Sequence, residues 1–209
     1  MDYLQQLIER YPRLEHLRPD INNACLTIVD SFANEGKLLI AGNGGSAADA
    51  GHIVGELMKS FVRKRKLPAD FTGEILKTDP EIAEYLIPRL QGALPAINLS
   101  CHASLNTACI NDIDGDITFA QQVYGYAKEG DVFFGISTSG NSKNILYAAV
   151  TAKAKGLKVI ALSGCDGGRL KDIADVSIIV PEKETYKIQE LHLPVYHCLC
   201  LMIEEHFFP

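Results

Sequence analysis

Two short stretches of this chain carry residues suited to holding a phosphate. Gly42-Asn43-Gly44-Gly45-Ser46 follows the apolar run Lys37–Ala41 and leads into the helix-forming residues Ala47–Ala50. Ser137-Thr138-Ser139-Gly140-Asn141-Ser142 follows Asp131–Ile136 and leads into the helical run Asn144–Lys155. At a strand-to-helix junction, free backbone N–H groups and the positive end of the helix dipole favour an anion. The hydroxyls of Ser137, Thr138, Ser139 and Ser142 add neutral donors, which suits a phosphate monoester. Ser and Asn also cap helices without binding anything. Two such loops at equivalent positions of successive units favour the phosphate. Gly42-x-Gly44-x-x-Ala47 matches the dinucleotide fingerprint as well. That motif needs an acidic residue at the end of the next strand. Here the next strand begins near residue 95 and ends without one, so a phosphorylated small molecule is the preferred ligand.

Other residues have the chemistry of proton transfer. His52 and Glu56 are four apart on the helix after the first loop and so share a face. Ile53, Val54 and Leu57 make much of that helix apolar, which favours burial of the pair over simple exposure. Gln189-Glu190-Leu191-His192 and His197 interrupt an otherwise apolar C-terminal stretch. A carboxylate and an imidazole are the groups that shuttle protons near neutral pH.

The elements that must position these residues follow from periodicity. Ile21, Cys25, Ile28, Val29 and Phe32 recur at helical spacing, with Gly36 as the stop. Lys37–Ala41, Pro95–Ser100, Asp131–Ile136, Leu157–Leu162 and Val176–Val180 read as five buried strands. The segment from about 184 to 206 reads as one long apolar helix, with the look of an assembly surface. Strands alternating with helices imply an α/β fold, a parallel sheet with helices on both faces. Residues 63–92 contain Pro68, Gly73, Pro80 and Pro88 and read as an irregular insertion with one short helix near Glu81–Gln91. No linker divides the 209 residues, so a single domain is expected.

Composition narrows the function. With 47% hydrophobic and 22% charged residues the chain is an ordinary globular one. A formal net charge of −6 and the lack of a basic stripe argue against nucleic acid. Leu191–Ile203, a run without Asp, Glu, Lys or Arg, is too short to span a bilayer. The start, Met1-Asp2-Tyr3-Leu4, has no basic or apolar leader character, and the six cysteines form no C-x-x-C pair. A cytoplasmic protein with reduced thiols is expected.

Taken in order, Gly42–Ser46, His52-x-x-x-Glu56, Asn111-Asp112, Gly135–Ser142 and Ile188–His192 with His197 resemble a sugar isomerase (SIS) domain of the phosphoheptose isomerase type. The likeness covers nearly all of the chain except 63–92. It implies a three-layer, flavodoxin-like domain with a five-stranded parallel sheet. The implied activity is aldose–ketose isomerisation of sedoheptulose 7-phosphate to a heptose 7-phosphate, in a homotetramer with sites shared between subunits. By the same resemblance Asn43, Gly44, Gly45, Ser46, Asn111, Asp112 and Gln189 contact the sugar phosphate, and Ser137, Thr138, Ser139 and Ser142 form its phosphate loop. Glu56 is implied as general base and His197 as general acid. His52, Glu56, Gln189 and His197 are implied as ligands of one zinc ion per subunit. Some relatives bind sugar phosphates or partner proteins without catalysis, but those generally lack the acid–base pair that is present here.

Helix geometry adds a constraint. Gln189 and His197 lie about 12 Å apart along a straight helix and about 80° apart around it. Either Pro194 bends the helix between them, or the two serve sites in different subunits, which is the expectation adopted. The sequence departs from the family pattern at Ser60, where an Arg is usual, and at Tyr186, where an acid is common. Arg63 or the run Lys64–Lys66 is a candidate replacement for the missing charge.

Overall fold

The structure is a computed structural model that describes residues 1–209. In chain order the elements are α1 (Tyr3–Arg10), α2 (Arg18–Ala33), β1 (Leu38–Ala41), α3 (Gly45–Met58), α4 (Ala69–Thr78), α5 (Pro80–Leu86), β2 (Ala96–Asn98), α6 (Ala103–Asp112), α7 (Thr118–Tyr126), β3 (Val132–Ser137), α8 (Lys143–Ala154), β4 (Lys158–Ser163), α9 (Leu170–Ile173), β5 (Val176–Ile179) and α10 (Thr185–Phe207). Short 3-10 turns precede α2, α6 and α7. All five expected strands form. They make one parallel sheet in the order β2-β1-β3-β4-β5.

Alternation along the strands builds two cores. Leu38, Ile40, Val132, Phe134, Ile136, Ile160, Leu162 and Ile178 face α1, α2, α3 and α10. Leu39, Ala41, Phe133, Val159 and Ala161 face α7, α8 and α9. The three-layer α/β architecture follows. No helix is long and apolar enough to cross a membrane, and all six cysteines are free.

Two segments differ from expectation. The stretch 63–92 carries two helices, α4 and α5, rather than one near 81–91. Asp79 separates them: its carboxylate accepts from the Glu81 and Ile82 N–H groups, and Pro80 opens α5. No residue of α4 is fully buried, so it adds nothing to either core. The long helix α10 runs unbroken through Pro194. Its apolar side chains, including Leu191, Val195, Leu199 and Ile203, pack inside their own chain. That internal packing accounts for its composition, and Leu193 is left facing outward.

Candidate active site

The order β2-β1-β3 places a topological switch between β1 and β3, where chain connections leave in opposite directions and a crevice opens beyond the carboxyl ends of the strands. Both phosphate-type loops lie at this switch. The first passes from Ala41 to α3 through Gly44, whose φ of 54° is a conformation suited to glycine. The second passes from Ser137 to α8. There Gly140 has φ 65°, and an added Cβ would meet the Gly167 carbonyl oxygen at 1.9 Å.

The loops are tied together and braced from behind. Asn43 and Asn144 exchange two side-chain amide hydrogen bonds, each 2.9 Å. The Ser137 and Ser142 hydroxyls stand 3.1 Å apart. Ser139 shapes the turn, its Oγ accepting from the Asn141 N–H at 3.2 Å. From the end of β2, Ser100 donates to the Gly42 carbonyl at 2.9 Å. Asn43, Gly44 and Gly45 are exposed, while Ser46 and Ser137 are buried and Thr138 is half-buried. The result is a cradle of N–H and hydroxyl donors at two helix starts. Asn144 and Ser100 carry no local motif that would single them out, because their role arises from strand order.

Helices α3 and α10 run side by side in the same direction. The Gln189 amide packs over Gly45, so that a Cβ there would meet Nε2 at 2.5 Å. Further along, His197 Nε2 stands 3.4 Å from His52 Nε2, and His52 Nε2 stands 3.2 Å from Glu56 Oε1. Glu56 is mostly covered, and its other oxygen pairs with Lys59 Nζ at 3.0 Å. Tyr196 fixes the His52 ring by a 3.1 Å contact between its hydroxyl and Nδ1. Asp49 faces that hydroxyl, and burial raises its carboxyl above the ordinary value despite Tyr196 and His52. Burial, with His52 close by, lowers His197, an effect Glu56 opposes. His197 is therefore a neutral imidazole near pH 7. It can donate a hydrogen bond, relay a proton or bind a metal.

The remaining sequence-predicted residues are placed less centrally. Asn111 and Asp112 end α6, exposed, and the Asn111 amide donates to Asp112 at 2.8 Å. No hydrogen bond joins them to either loop. His192 is fully buried on α10 beside Ser163, with neither ring nitrogen in a well-formed hydrogen bond.

For zinc, two imidazole nitrogens on one tetrahedral ion stand about 3.3 Å apart, given bonds of about 2.0–2.1 Å. The His52–His197 and His52–Glu56 spacings match that pairwise. Yet no group of three or more His, Cys, Asp or Glu side chains converges as a metal site. Gln189, over Gly45, lies about 10 Å along α3 from His52. The four residues thus do not form a single ligand set within one chain.

A doubly wound α/β domain with paired phosphate-type loops at its switch point is the class that the fold defines. The SIS domain family matches residues 2–85 and 81–164. The phosphoheptose isomerase of a Nitratiruptor species is 42% identical over 193 residues, covering 92% of this chain and 89% of the relative. That of Helicobacter hepaticus is 42% identical over 188 residues, covering 90% and 83%. Among solved structures, the phosphoheptose isomerase of Francisella tularensis superposes with a TM-score of 0.77 at 31% identity, covering 97% of this chain and 95% of the other. The Neisseria gonorrhoeae enzyme gives 0.73 at 33% identity, with 97% and 91% covered. The chain belongs to the SIS domain family, and within it groups with the phosphoheptose isomerases.

Proposed function

We propose that this enzyme interconverts the aldose and ketose forms of a phosphorylated sugar, with sedoheptulose 7-phosphate and its heptose 7-phosphate as the first candidates. The observation that carries the reading is the Glu56–His52–His197 cluster, in a chain that also presents a phosphate cradle. The reaction moves one proton from the carbon beside the carbonyl to its neighbour, and shifts one proton between the two oxygens. Glu56, fixed by His52 and Lys59, takes and returns the carbon-bound proton. His197, neutral at working pH, serves the oxygens as hydrogen-bond donor and proton relay. The cradle holds the phosphate, with Gly44 leaving its backbone open to it.

Distance shapes the rest of the reading. Glu56 lies eleven residues beyond Gly45, about 16 Å along α3. The reacting carbons of an extended seven-carbon sugar lie only about 9 Å from its phosphate, at about 1.5 Å per bond. A cradle and a base so far apart along one helix favour a site shared between subunits. We infer a homo-oligomer, a tetramer on the family pattern, in which one subunit holds the phosphate and another supplies the acid–base cluster. Asn111 and Asp112, which make no hydrogen bond to either loop in the single chain, would contact substrate in such an assembly. The same applies to zinc. His52 and His197, 3.4 Å apart, would supply two imidazole donors, and further donors, Gln189 among them, would come from a neighbouring chain. Bound there, the metal would polarise the substrate carbonyl. The free thiols suit a cytoplasmic location.

The test is an isomerisation screen over five- to seven-carbon sugar phosphates, with and without a chelator. Turnover of the seven-carbon ketose phosphate is the expected result. Turnover of shorter sugars alone would shift the substrate, and no turnover of any would overturn the reading.

A further inference from the structure

Below the acid–base cluster, α3 and α10 are joined by a fully buried ion pair. Arg65 Nε donates to Glu204 Oε1 at 2.8 Å, and both side chains are completely covered. Glu204 also accepts three successive backbone N–H groups, from Phe61 at 2.8 Å, Val62 at 2.9 Å and Arg63 at 3.2 Å. Such a run of N–H groups is a concave anion seat. The other Arg65 nitrogens reach back to the end of α3. Nη2 donates to the Glu56 carbonyl at 2.8 Å, and Nη1 to the Leu57 carbonyl at 2.5 Å. The guanidinium rests on the Phe208 ring, 4.9 Å from its centroid.

The placement of these groups is specific. Glu204 is seven residues after His197, just under two turns, and so lies on the same stripe of α10. Arg65 grips the backbone of Glu56 itself. Phe61, whose N–H is bound by Glu204, packs its ring 5.5 Å from the His197 ring. The pair thus touches the backbone of the base and a neighbour of the acid without reaching either functional group. A buried ion pair is weak as a source of stability, since desolvation offsets much of its attraction. A planar fork that meets a carboxylate and two carbonyls at once is strong as a source of fixed geometry.

We propose that Arg65 and Glu204 are positioning residues, which lock the helix carrying Glu56 in register with the helix carrying His197. This rests on the acid–base reading of Glu56 and His197. The test is steady-state kinetics of Arg65→Met on the full-length enzyme, expressed per folded protein, with melting temperature recorded. A loss of kcat of about 10- to 100-fold with KM changed less than about threefold is expected, since displacements of about 1 Å at reacting groups carry such factors. A folded variant with kcat within about twofold of the parent overturns the proposal. If Arg65→Met does not fold, Glu204→Asp decides. It keeps the charge but withdraws the carboxylate by one methylene, and a smaller kcat loss of about 3- to 10-fold at constant KM is expected, while unchanged kcat refutes the lock. Glu56→Gln separates the two ideas. Full activity in that variant rejects the underlying mechanism, whereas an inactive Glu56→Gln beside a fully active Arg65→Met rejects the lock alone.

Discussion

Asn43 and Asn144, 101 positions apart, face each other across the β1/β3 switch and exchange a donor and an acceptor in both directions. Asn43 lies in the first phosphate-type loop and Asn144 in the first turn of α8, just after the second, so the pair sets the distance between the two helix starts. Asn144→Ala removes one partner and leaves the Asn43 amide without its reciprocal. The expected cost is about 1 kcal/mol of stability. KM for the sugar phosphate should rise several-fold with kcat nearly kept, because phosphate binding is shared by ground and transition states. Thermal melts and steady-state kinetics check both effects.

His192 makes stability depend on pH in a defined direction. Burial pushes its imidazole from 6.5 down to about 4, only partly opposed by the Ser163 backbone. The folded protein therefore refuses a proton that the unfolded chain accepts. Stability from this group is complete above about pH 6.5 and is lost as pH falls through the window from about 6.5 to 4. The expected loss between pH 7 and pH 5 is about 2 kcal/mol. Urea unfolding at the two pH values measures it, and His192→Leu should flatten the difference. An equal dependence in His192→Leu would assign the effect to other groups.

The shared-site reading predicts complementation between inactive subunits. Glu56→Gln and a cradle variant such as Ser137→Ala with Ser142→Ala should each be nearly inactive. Mixed assemblies pair an intact cradle with an intact base at about a quarter of the sites under random association. Co-refolding or co-expression should restore about that share of activity. No restoration would place cradle and base in the same chain.

The framework and the reactive residues are more legible in the sequence than their partnerships. Lys37–Ala41 and Asp131–Ile136 read as strands because buried parallel strands are continuous apolar runs. His52 and Glu56 read as a pair because four residues bring side chains onto one helix face. Helix α4 is not legible, since Gly73 sits inside it and its few apolar positions, such as the half-buried Ile75, join no core. The apolarity of α10 reads as an assembly surface, and part of it, at Leu191, Val195 and Leu199, is core. Contacts such as Asn43–Asn144, Tyr196–His52 and Arg65–Glu204 depend on strand order and on the parallel run of α3 and α10. No local spacing encodes either. The separation of Gln189 from His197 does follow from helix period alone, and the two contact different parts of α3.

In the proposed mechanism, transfer of the carbon-bound proton by Glu56 is the step on which the aldose–ketose shift depends. Incorporation of deuterium from D₂O into sedoheptulose 7-phosphate, followed by mass spectrometry, measures that transfer directly. The parent enzyme should introduce one non-exchangeable deuterium per molecule. Glu56→Gln should slow this by about 10²- to 10⁴-fold, the usual contribution of a general base, while still binding the sugar phosphate. Deuterium uptake by Glu56→Gln within about tenfold of the parent would contradict the assignment.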